Sequence, residues 1–314
     1  MTDRIVVIHP SARACERWAE DLRRLVPDAE VGIWSRKDER PFADADWAVG
    51  WAPDAAFFAA HPRLRAFFSA AAGVDHLLKA PGLPPSLPLV RLEDAGMGPQ
   101  MAEYCCHEVI RLYRRWDELA AQQRERVWKE LRPERRADFP VGVLGLGVLG
   151  TQVARMLAAF GYVVNGYART PKEVEGVDVF SGPEGLEPFL RASRALCVLA
   201  PLTEDTRDLL DARRLAMLRP GGWVINVARG GIVVDEDLLA AIDSGHLAGA
   251  TLDVFRTEPL PQDHPFWTHP KVRITPHVAA MTMVRESAEQ VADKLQALRR
   301  GEPVTGMVDR ARGY

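Results

Sequence analysis

Three side chains with catalytic chemistry each follow an apolar run in the second half of the chain. They are Arg229 after Trp223–Val227, Glu258 after Ala250–Val254, and His277 after Val272–Ile274. An arginine can hold a carboxylate with two hydrogen bonds, and a histidine beside a carboxylate can donate a proton near neutral pH. If the three meet at one edge of a parallel sheet, the arginine could bind the carboxylate of an organic acid while the histidine donates a proton to another group of the same molecule. Taken singly, they also fit a surface ion pair, a turn carboxylate and a loop histidine.

A glycine motif precedes these residues. Gly145, Gly147 and Gly150 occupy the pattern GxGxxG between the apolar run Val141–Leu144 and the helical stretch Thr151–Phe160. Glycine permits a tight turn, close approach of the backbone to a pyrophosphate and close packing of a helix on a strand, and a helix N-terminus favours phosphate charge. The strand before the motif and the helix after it favour dinucleotide binding over a glycine turn that holds no ligand.

The residues after the next strand bear on which dinucleotide is bound. Sites specific for NAD place an acid about 20 residues beyond the motif, where it accepts the ribose hydroxyls. No Asp or Glu occurs between Gly150 and Glu173, and Arg169, Thr170 and Lys172 stand there instead. Their groups could surround a 2′-phosphate. The sequence therefore predicts NADPH as the preferred cofactor and NADH as a weaker one; a solvated basic turn is the alternative.

Apolar runs that alternate with helical stretches predict the elements that position these side chains. Before the glycine motif, Ile5–Ile8, Trp47–Trp51 and Ala66–Ser69 are predicted as strands, Ala14–Leu25 as a helix and Met101–Trp128 as one long helix. From the motif onward the predicted strands are Val141–Leu144, Val163–Tyr167, Ala195–Leu199, Trp223–Val227, Ala250–Val254 and Val272–Ile274, followed by a helix over Val284–Arg300. This alternation predicts an α/β fold with parallel sheets, in which one domain is discontinuous.

Trp51 is a candidate for limiting the size of a substrate. It ends a predicted strand of the first part of the chain, and the carboxyl end of such a strand can face a cleft. An indole there would leave room only for a short acid, whereas an indole packed in the core would have no such role.

Composition excludes several classes of protein. The 314 residues carry a net charge of −3, so no overall positive field favours nucleic acid or a membrane surface as a partner. The apolar run Ile5–Ile8 is too short for a signal peptide or a membrane span. Four cysteines without a CxxC pattern suggest neither a disulfide framework nor a metal site, and a reducing cytoplasm fits them.

Several separated motifs resemble those of one enzyme family. They are Ala70–His76, Arg91–Tyr104, the glycine motif, the three segments that carry Arg229, Glu258 and His277, and the tail Gly301–Tyr314. With these motifs the chain resembles the D-isomer-specific 2-hydroxyacid dehydrogenases from about its first strand to its tail. The resemblance implies a reductase of a short 2-oxo acid, such as glyoxylate or hydroxypyruvate, that acts by hydride transfer from a nicotinamide cofactor.

The resemblance also implies roles for individual residues. Arg229, Glu258 and His277 would form the catalytic set, with Arg229 on the substrate carboxylate, His277 as the proton donor and Glu258 orienting it. The backbone amides of Ala72, Gly73 and Val74 would bind the substrate carboxylate. Asp253 would hold the nicotinamide carboxamide, and the remaining residues expected to bind the cofactor are Leu149, Pro201, Thr206 and Ala228.

The architecture implied by the resemblance is two Rossmann-like domains. Residues 1–103 and 284–314 would form a discontinuous substrate domain, and residues 104–283 a dinucleotide-binding domain, with a substrate cleft between them. Homodimerisation through Met101–Trp128 is the expectation for the family. The apolar stripe of that segment, taken alone, fits core packing as well as an interface.

Two alternatives remain open at the level of sequence. Relatives of this family act as corepressors that sense nicotinamide cofactors, so the fold can serve as a binding module. Those relatives carry additional tail segments, whereas this chain ends soon after its last predicted helix. Within the enzymes, formate dehydrogenases usually pair the histidine with glutamine and phosphoglycerate dehydrogenases typically keep the NAD-selecting acid. The residues here match neither pattern, although another 2-hydroxy acid is a further alternative.

Overall fold

The protein consists of two compact units. The structure, a computed structural model, describes residues 2–35 and 42–314. One unit is made of Met1–Met97 and Thr282–Tyr314, and the other of Gly98–Met281; we call them the first and the second unit. The observed boundaries lie near the predicted ones, at 103 and 284. Which unit binds the substrate and which binds the cofactor stays a prediction.

The first unit is built on a five-stranded sheet. Its strands are β1 (Arg4–Ile8), β2 (Glu30–Ile33), β3 (Trp47–Gly50), β4 (Ala66–Ser69) and β5 (Leu89–Val90). They lie in the order β2-β1-β3-β4-β5, and every ladder between them is parallel. Such an order places crossover helices on the faces of the sheet, which agrees with the near-complete burial of β1, β3 and β4.

The described residues of the first segment, 2–35 and 42–97, also form the helices α1 (Ala12–Leu25), α2 (Ala55–Ala60) and α3 (Asp75–Leu78). Helix α1 begins where the Ser11 hydroxyl accepts a hydrogen bond from the Ala14 amide, since a serine satisfies one of the unpaired amides of a first turn. Its residues Cys15, Trp18 and Leu22 are buried at helical spacing, so the helix covers the sheet with one apolar face.

The second unit opens with helices and contains the larger sheet. Its helices are α4 (Met97–Tyr113), α5 (Trp116–Glu125), α6 (Val148–Ala159), α7 (Gly182–Ala192), α8 (Ala212–Leu215) and α9 (Asp235–Asp243). Its strands are β6 (Val141–Leu144), β7 (Val164–Ala168), β8 (Asp178–Ser181), β9 (Ala195–Val198), β10 (Gly222–Asn226), β11 (Leu247–Leu252) and β12 (Val272–Ile274). The sheet has the order β12-β11-β10-β9-β6-β7-β8 with parallel ladders.

The order of this sheet determines where a ligand can bind. Successive strands run outward from β6 through β7 to β8, and then from β9 through β10 and β11 to β12 on the other side. The chain therefore changes direction between β6 and β9. In open parallel sheets, ligands bind outside the carboxyl ends of the strands at such a switch point. The predicted fold class, α/β with two parallel sheets and one discontinuous domain, is confirmed.

The prediction of one long helix over Met101–Trp128 is wrong. Helix α4 ends at Tyr113, Arg115 has the left-handed φ of 55°, and α5 follows as a separate helix with no buried residue. A left-handed residue breaks the helical hydrogen-bond ladder, so the apolar spacing continues across a turn that periodicity does not reveal. As a result, Trp116 and Trp128 are 57% and 99% exposed.

The chain returns to the first unit with α10 (Val284–Arg299), which packs on α1. Lys294 of this helix is 9% exposed and its ammonium bonds the Glu93 carboxylate at 3.1 Å. In the second unit, the Gln100 amide bonds both the carbonyl and the amide of Met281 at 3.0 and 3.2 Å. Within residues 2–35 and 42–314, we find no helix whose length and apolar character would suit a membrane span.

Candidate active site

The centre of the candidate site is a direct bond between His277 and Glu258. The Nδ1 atom of His277 lies 2.7 Å from Oε2 of Glu258, and the two side chains are 44% and 35% exposed. Since a carboxylate accepts and cannot donate, the imidazole proton on Nδ1 is the one in this bond. The Nε2 atom is then the ring position left to exchange a proton with a ligand. Two of the three predicted catalytic residues are thus brought together.

The backbone around this pair is tied to the end of β11. Glu258 Oε1 accepts a hydrogen bond of 3.0 Å from the amide of Phe255, which fixes the carboxylate at its own turn. The His277 amide donates to the carbonyl of Asp253 at 2.8 Å. His277 has φ of 55°, a left-handed conformation that is uncommon for a residue with a β-carbon. Strain of this kind persists where the surroundings constrain the loop, and it clusters at functional sites.

Arg229 stands on a turn that packs against the same loop. The Asn226 side chain, 1% exposed, bonds the carbonyl of Arg229 at 3.0 Å and the amide of Ala228 at 3.1 Å. A β-carbon on Gly230 would lie 2.0 Å from the carbonyl carbon of Phe255, so only glycine permits this approach. The turn that carries Arg229 and the turn that carries Glu258 are therefore in backbone contact. Arg229 itself is half-buried, and its Nη1 bonds the Ala228 carbonyl at 2.7 Å.

Asp253 holds the loop that carries His277. It is 1% exposed, and its carboxylate accepts hydrogen bonds from the Thr275 hydroxyl at 2.5 Å and from the amides of Val278 and Ala279 at 2.9 Å each. Its predicted role at the nicotinamide carboxamide stays a prediction. Sequence reasoning did not identify Thr275 as a partner, although it lies in the Thr-Pro-His motif. Asn226 was missed in the same way, because its role is visible only once the turn after β10 is seen.

The glycine motif has the geometry that a dinucleotide requires. Gly145 has φ of 107°, a conformation that favours glycine, and a β-carbon on Gly150 would lie 1.9 Å from the Gly145 carbonyl. A β-carbon on Gly147 would have no described atom within 4 Å apart from its chain neighbours, so open space lies in front of it. Because α6 begins at Val148, its N-terminus lies at this space. These residues fit a pyrophosphate held by backbone amides.

Arg169 and Thr170 follow β7 directly and are exposed, as expected for a nucleotide-selecting turn. Lys172 is placed differently from its neighbours. Its ammonium donates to the Leu146 carbonyl at 2.7 Å and lies 3.2 Å from the Thr151 hydroxyl. It thereby links the turn after β7 to the glycine loop, and these two contacts occupy two of the three protons that the ammonium can donate. The prediction that all three groups surround a 2′-phosphate stays a prediction, with Lys172 the weakest member.

The loop after β9 lies at the other side of the switch point. Thr206 donates its hydroxyl proton to the Pro201 carbonyl at 2.6 Å and accepts from the Thr203 amide at 2.8 Å, which closes the loop on itself. Ala200 of this loop lies against Gly145, since a β-carbon on Gly145 would lie 2.5 Å from the Ala200 amide nitrogen. Leu149 packs its side chain on the core, as does Ala228, so both can offer a ligand mainly their backbone.

Trp51 and the predicted substrate loop adjoin each other in the first unit. The indole of Trp51, which follows β3 and is half-buried, stacks on the imidazole of His76 with ring centroids 3.5 Å apart and an angle of 30° between the planes. His76 lies in α3, which begins right after Ala72, Gly73 and Val74. Trp51 is thus not fully enclosed by core side chains, and it lies beside the loop.

No group of three or more His, Cys, Asp or Glu side chains suited to a metal ion occurs among residues 2–35 and 42–314. The groups described above are a guanidinium, an imidazole with its carboxylate, and a glycine loop open to phosphate.

Comparisons with known proteins agree with this geometry. Residues 106–279 match the family described as D-isomer specific 2-hydroxyacid dehydrogenase, NAD binding domain. A protein of Serratia proteamaculans called glyoxylate/hydroxypyruvate reductase A is 44% identical over 99% of both chains. This chain belongs to the D-isomer specific 2-hydroxyacid dehydrogenase family.

Solved structures of the family share the whole fold. A D-isomer specific 2-hydroxyacid dehydrogenase from Xanthobacter autotrophicus, in complex with NADPH and MES, superimposes with a TM-score of 0.94 at 39% identity and covers 100% of both chains. An NADPH-dependent glyoxylate/hydroxypyruvate reductase from Sinorhizobium meliloti, in complex with NADP and sulfate, gives 0.92 at 36% identity over 99% of this chain and 100% of that one. The 2-hydroxyacid dehydrogenase fold therefore accounts for both units, beyond the 106–279 segment.

Proposed function

We propose that this dehydrogenase reduces short 2-oxo acids, glyoxylate and hydroxypyruvate among them, to glycolate and D-glycerate, with NADPH as its preferred reductant. The observation that carries the proposal is the 2.7 Å bond between His277 and Glu258 on loops that adjoin the Arg229 turn. The relatives from Serratia and Sinorhizobium that bear this activity in their names support the substrate class. They favour the reductase over a cofactor-sensing corepressor.

Arg229 binds the carboxylate of the substrate and polarises its C2 carbonyl. A planar guanidinium offers two parallel donors to a carboxylate and stabilises the negative charge that grows on the carbonyl oxygen. A bound nicotinamide cofactor would supply the hydride to C2, and the glycine motif residues would hold its pyrophosphate. The Asn226 side chain fixes the backbone of the Arg229 turn, and Nη1 of Arg229 bonds the Ala228 carbonyl, so the charge is held near this turn before the substrate arrives.

His277 donates a proton to the oxygen at C2 through Nε2. Its Nδ1 proton is bonded to Glu258, so the carboxylate fixes the orientation of the ring and leaves Nε2 as the position that exchanges a proton with the substrate. The half-exposed position of both side chains lets solvent restore the proton after each turnover.

Replacing Glu258 with glutamine tests this division of roles. The amide oxygen can still accept from Nδ1, but the negative charge beside the imidazolium is gone. We expect kcat/KM for glyoxylate to fall by about tenfold or more, because an amide can also turn its NH2 group toward Nδ1 and then no longer holds the ring in one orientation. Steady-state kinetics with glyoxylate and NADPH measure this. An unchanged kcat/KM would argue against the pairing.

A substrate panel tests the proposed activity itself. We expect the purified protein to oxidise NADPH with glyoxylate and hydroxypyruvate and to be slow with pyruvate and phenylpyruvate, as followed by nicotinamide absorbance. NADH in place of NADPH gives the cofactor preference in the same assay. A protein that binds NADPH tightly but turns over none of these acids would be a sensor instead.

We propose that Trp51 limits the size of the substrate. The stack on His76 holds a large flat side chain beside the Ala72–Val74 loop, whose amides are proposed to bind the substrate carboxylate. Replacing Trp51 with alanine should raise kcat/KM for phenylpyruvate relative to glyoxylate by about tenfold, since a mismatch of side-chain volume in a pocket is worth on the order of 1–3 kcal/mol. Loss of folding without broadened specificity would place Trp51 among core residues. Trp47→Phe is the control, because Trp47 is a buried tryptophan at the start of β3, the strand that Trp51 follows.

We also propose that the enzyme is a homodimer that associates through α5 and the segment after it. Trp116, Leu119, Val127 and Trp128 are between 39% and 99% exposed there, an unusual concentration of apolar surface for a monomer. Light scattering should give twice the chain mass of 34.8 kDa, and Trp128→Ser with Leu119→Glu should shift it toward one chain mass.

As the expected compartment we retain the cytoplasm, where the four buried free cysteines stay reduced.

A further inference from the structure

A directed chain of hydrogen bonds runs from α4 to the end of β11. The hydroxyl of Tyr104 lies 2.6 Å from the hydroxyl of Thr275, which lies 2.5 Å from Oδ1 of Asp253. A carboxylate only accepts, so Thr275 gives its single proton to Asp253. The oxygen of Thr275 is then left to accept, and Tyr104 must be the donor. Burial raises the pKa of Tyr104 to about 12, which keeps this donor protonated at neutral pH.

The chain ends on the loop that carries His277. The carboxylate of Asp253 bonds the amides of Val278 and Ala279, which follow His277, while Thr275 precedes it by two residues. Asp253 thus restrains the loop on both sides of the histidine. The restraint matters because His277 has φ of 55°, a backbone conformation that needs continuous support from its surroundings.

Tyr104 is the member of this chain that comes from a helix, whereas Thr275 and Asp253 each follow a strand. It lies on α4, 171 residues before Thr275, and it is half-buried. Hydrogen bonds in such a chain polarise one another, so the donor at one end strengthens the bond at the other. Without the phenol proton, the half-buried Thr275 hydroxyl would lose the donor from which its oxygen accepts.

We propose that Tyr104 is a positioning residue for proton donation by His277, acting through Thr275 and Asp253. This rests on the proposed function, in which His277 gives the proton. Tyr104 has no contact with substrate in this proposal. It sets how often the loop presents Nε2 in the productive orientation, so its loss should appear in the rate of turnover more than in binding.

The first test is the Tyr104→Phe enzyme in the glyoxylate assay with NADPH. We expect kcat to fall about three- to tenfold, KM for both substrates to change less than twofold, and the solvent deuterium isotope effect on kcat to increase, since proton donation becomes rate-limiting. The matched control is Tyr113→Phe, because Tyr113 is on the same helix and its hydroxyl donates to the Glu134 carbonyl at 2.7 Å. Equal changes in both variants would overturn the proposal.

The second test asks whether Tyr104 acts through Thr275. Thr275→Val removes the middle hydroxyl, and we expect Tyr104→Phe to have no additional effect on kcat in that background. Thr275→Ser keeps the hydroxyl and should restore most of the rate. The same fold-loss for Tyr104→Phe with and without the Thr275 hydroxyl would overturn the proposal. If Tyr104→Phe does not fold, equal activities of Thr275→Ser and Thr275→Val would overturn it.

The proposed function is tested separately in the same assay. If wild type turns over glyoxylate and His277→Ala does not, the proton donor is established, and the Tyr104 results then bear only on positioning. If wild type is inactive or His277→Ala remains active, the proposed function fails. In that case, amide hydrogen exchange of the 275–279 loop still checks whether the Tyr104 hydroxyl restrains it: faster exchange in Tyr104→Phe than in Tyr113→Phe is expected, and equal exchange excludes the restraint.

Discussion

His277→Ala is expected to lower the rate of glyoxylate reduction by about 10²–10⁴-fold, the range for loss of a positioned acid or base. In free energy this is about 3–5 kcal/mol of transition-state stabilisation. The side chain is 44% exposed and the Asp253 carboxylate bonds the amides that follow it, so alanine should leave the fold and the glycine loop intact. We therefore expect NADPH binding, measured by quenching of tryptophan fluorescence, to change little.

The matched control for this variant is His269→Ala. His269 also pairs with a carboxylate, with Nε2 3.1 Å from Asp243, but it precedes β12 whereas His277 follows it. The two substitutions thus remove the same kind of pair at opposite ends of one strand. We expect His269→Ala to retain the wild-type rate within about threefold. A comparable loss in both variants would mean that the rate reports on the stability of β12 and would remove His277 from the mechanism.

The second large effect concerns the choice of cofactor at Arg169. We expect kcat/KM to favour NADPH over NADH by at least tenfold, because a charge-assisted hydrogen bond to a phosphate is worth on the order of 1.5–3 kcal/mol and no acid is present to select the ribose hydroxyls. Arg169→Asp should reduce kcat/KM for NADPH by tenfold or more and should leave kcat/KM for NADH equal or improved, since the new carboxylate repels phosphate and accepts hydroxyls. Comparable values for the two cofactors in wild type would refute the assignment.

Two further variants separate the selecting residue from its neighbours. Lys172 braces the glycine loop through Leu146 and Thr151, so Lys172→Met should lower kcat/KM for NADPH and NADH together. Arg191→Asp makes the same change of charge as Arg169→Asp at the end of α7, before β9 and so at the opposite edge of the sheet, and should leave the preference unchanged. If Lys172→Met lowers kcat/KM for NADPH and not for NADH, the Lys172 ammonium binds the 2′-phosphate after all.

The strands that the sequence failed to predict share one position in the fold. Strands β2, β5 and β8 are the three that were missed, and each lies at the edge of its sheet. An edge strand has only one neighbour and needs little apolar surface; β5 has two residues and β8 has no buried one. The central strands β6, β9 and β10 are buried throughout, and continuous apolar runs of this kind are the signal that sequence reasoning detects.

The same reasoning explains what could be predicted at the candidate site. Glu258 and His277 each follow a neighbouring parallel strand, so topology alone brings their loops to one edge, and their pairing was expected. Tyr104 lies on a helix whose approach to the sheet is set by packing in the core of the second unit. No local pattern marks a tyrosine that bonds a threonine 171 residues away. The turn at Arg115 was missed for a related reason, since an arginine carries no sign of a left-handed backbone.

The two hydrogen bonds between the Gln100 side chain and the Met281 backbone have a consequence for the order in which the polypeptide folds as it leaves the ribosome. The two segments of the first unit are separated by roughly 180 residues, and closing a flexible loop of that length would cost about 4–5 kcal/mol. A second unit that has already folded, with its entry and exit joined by the two hydrogen bonds of Gln100, removes most of that cost. We therefore expect the second unit of a nascent chain to fold first. Until α10 emerges, α1 lacks the helix that packs on it.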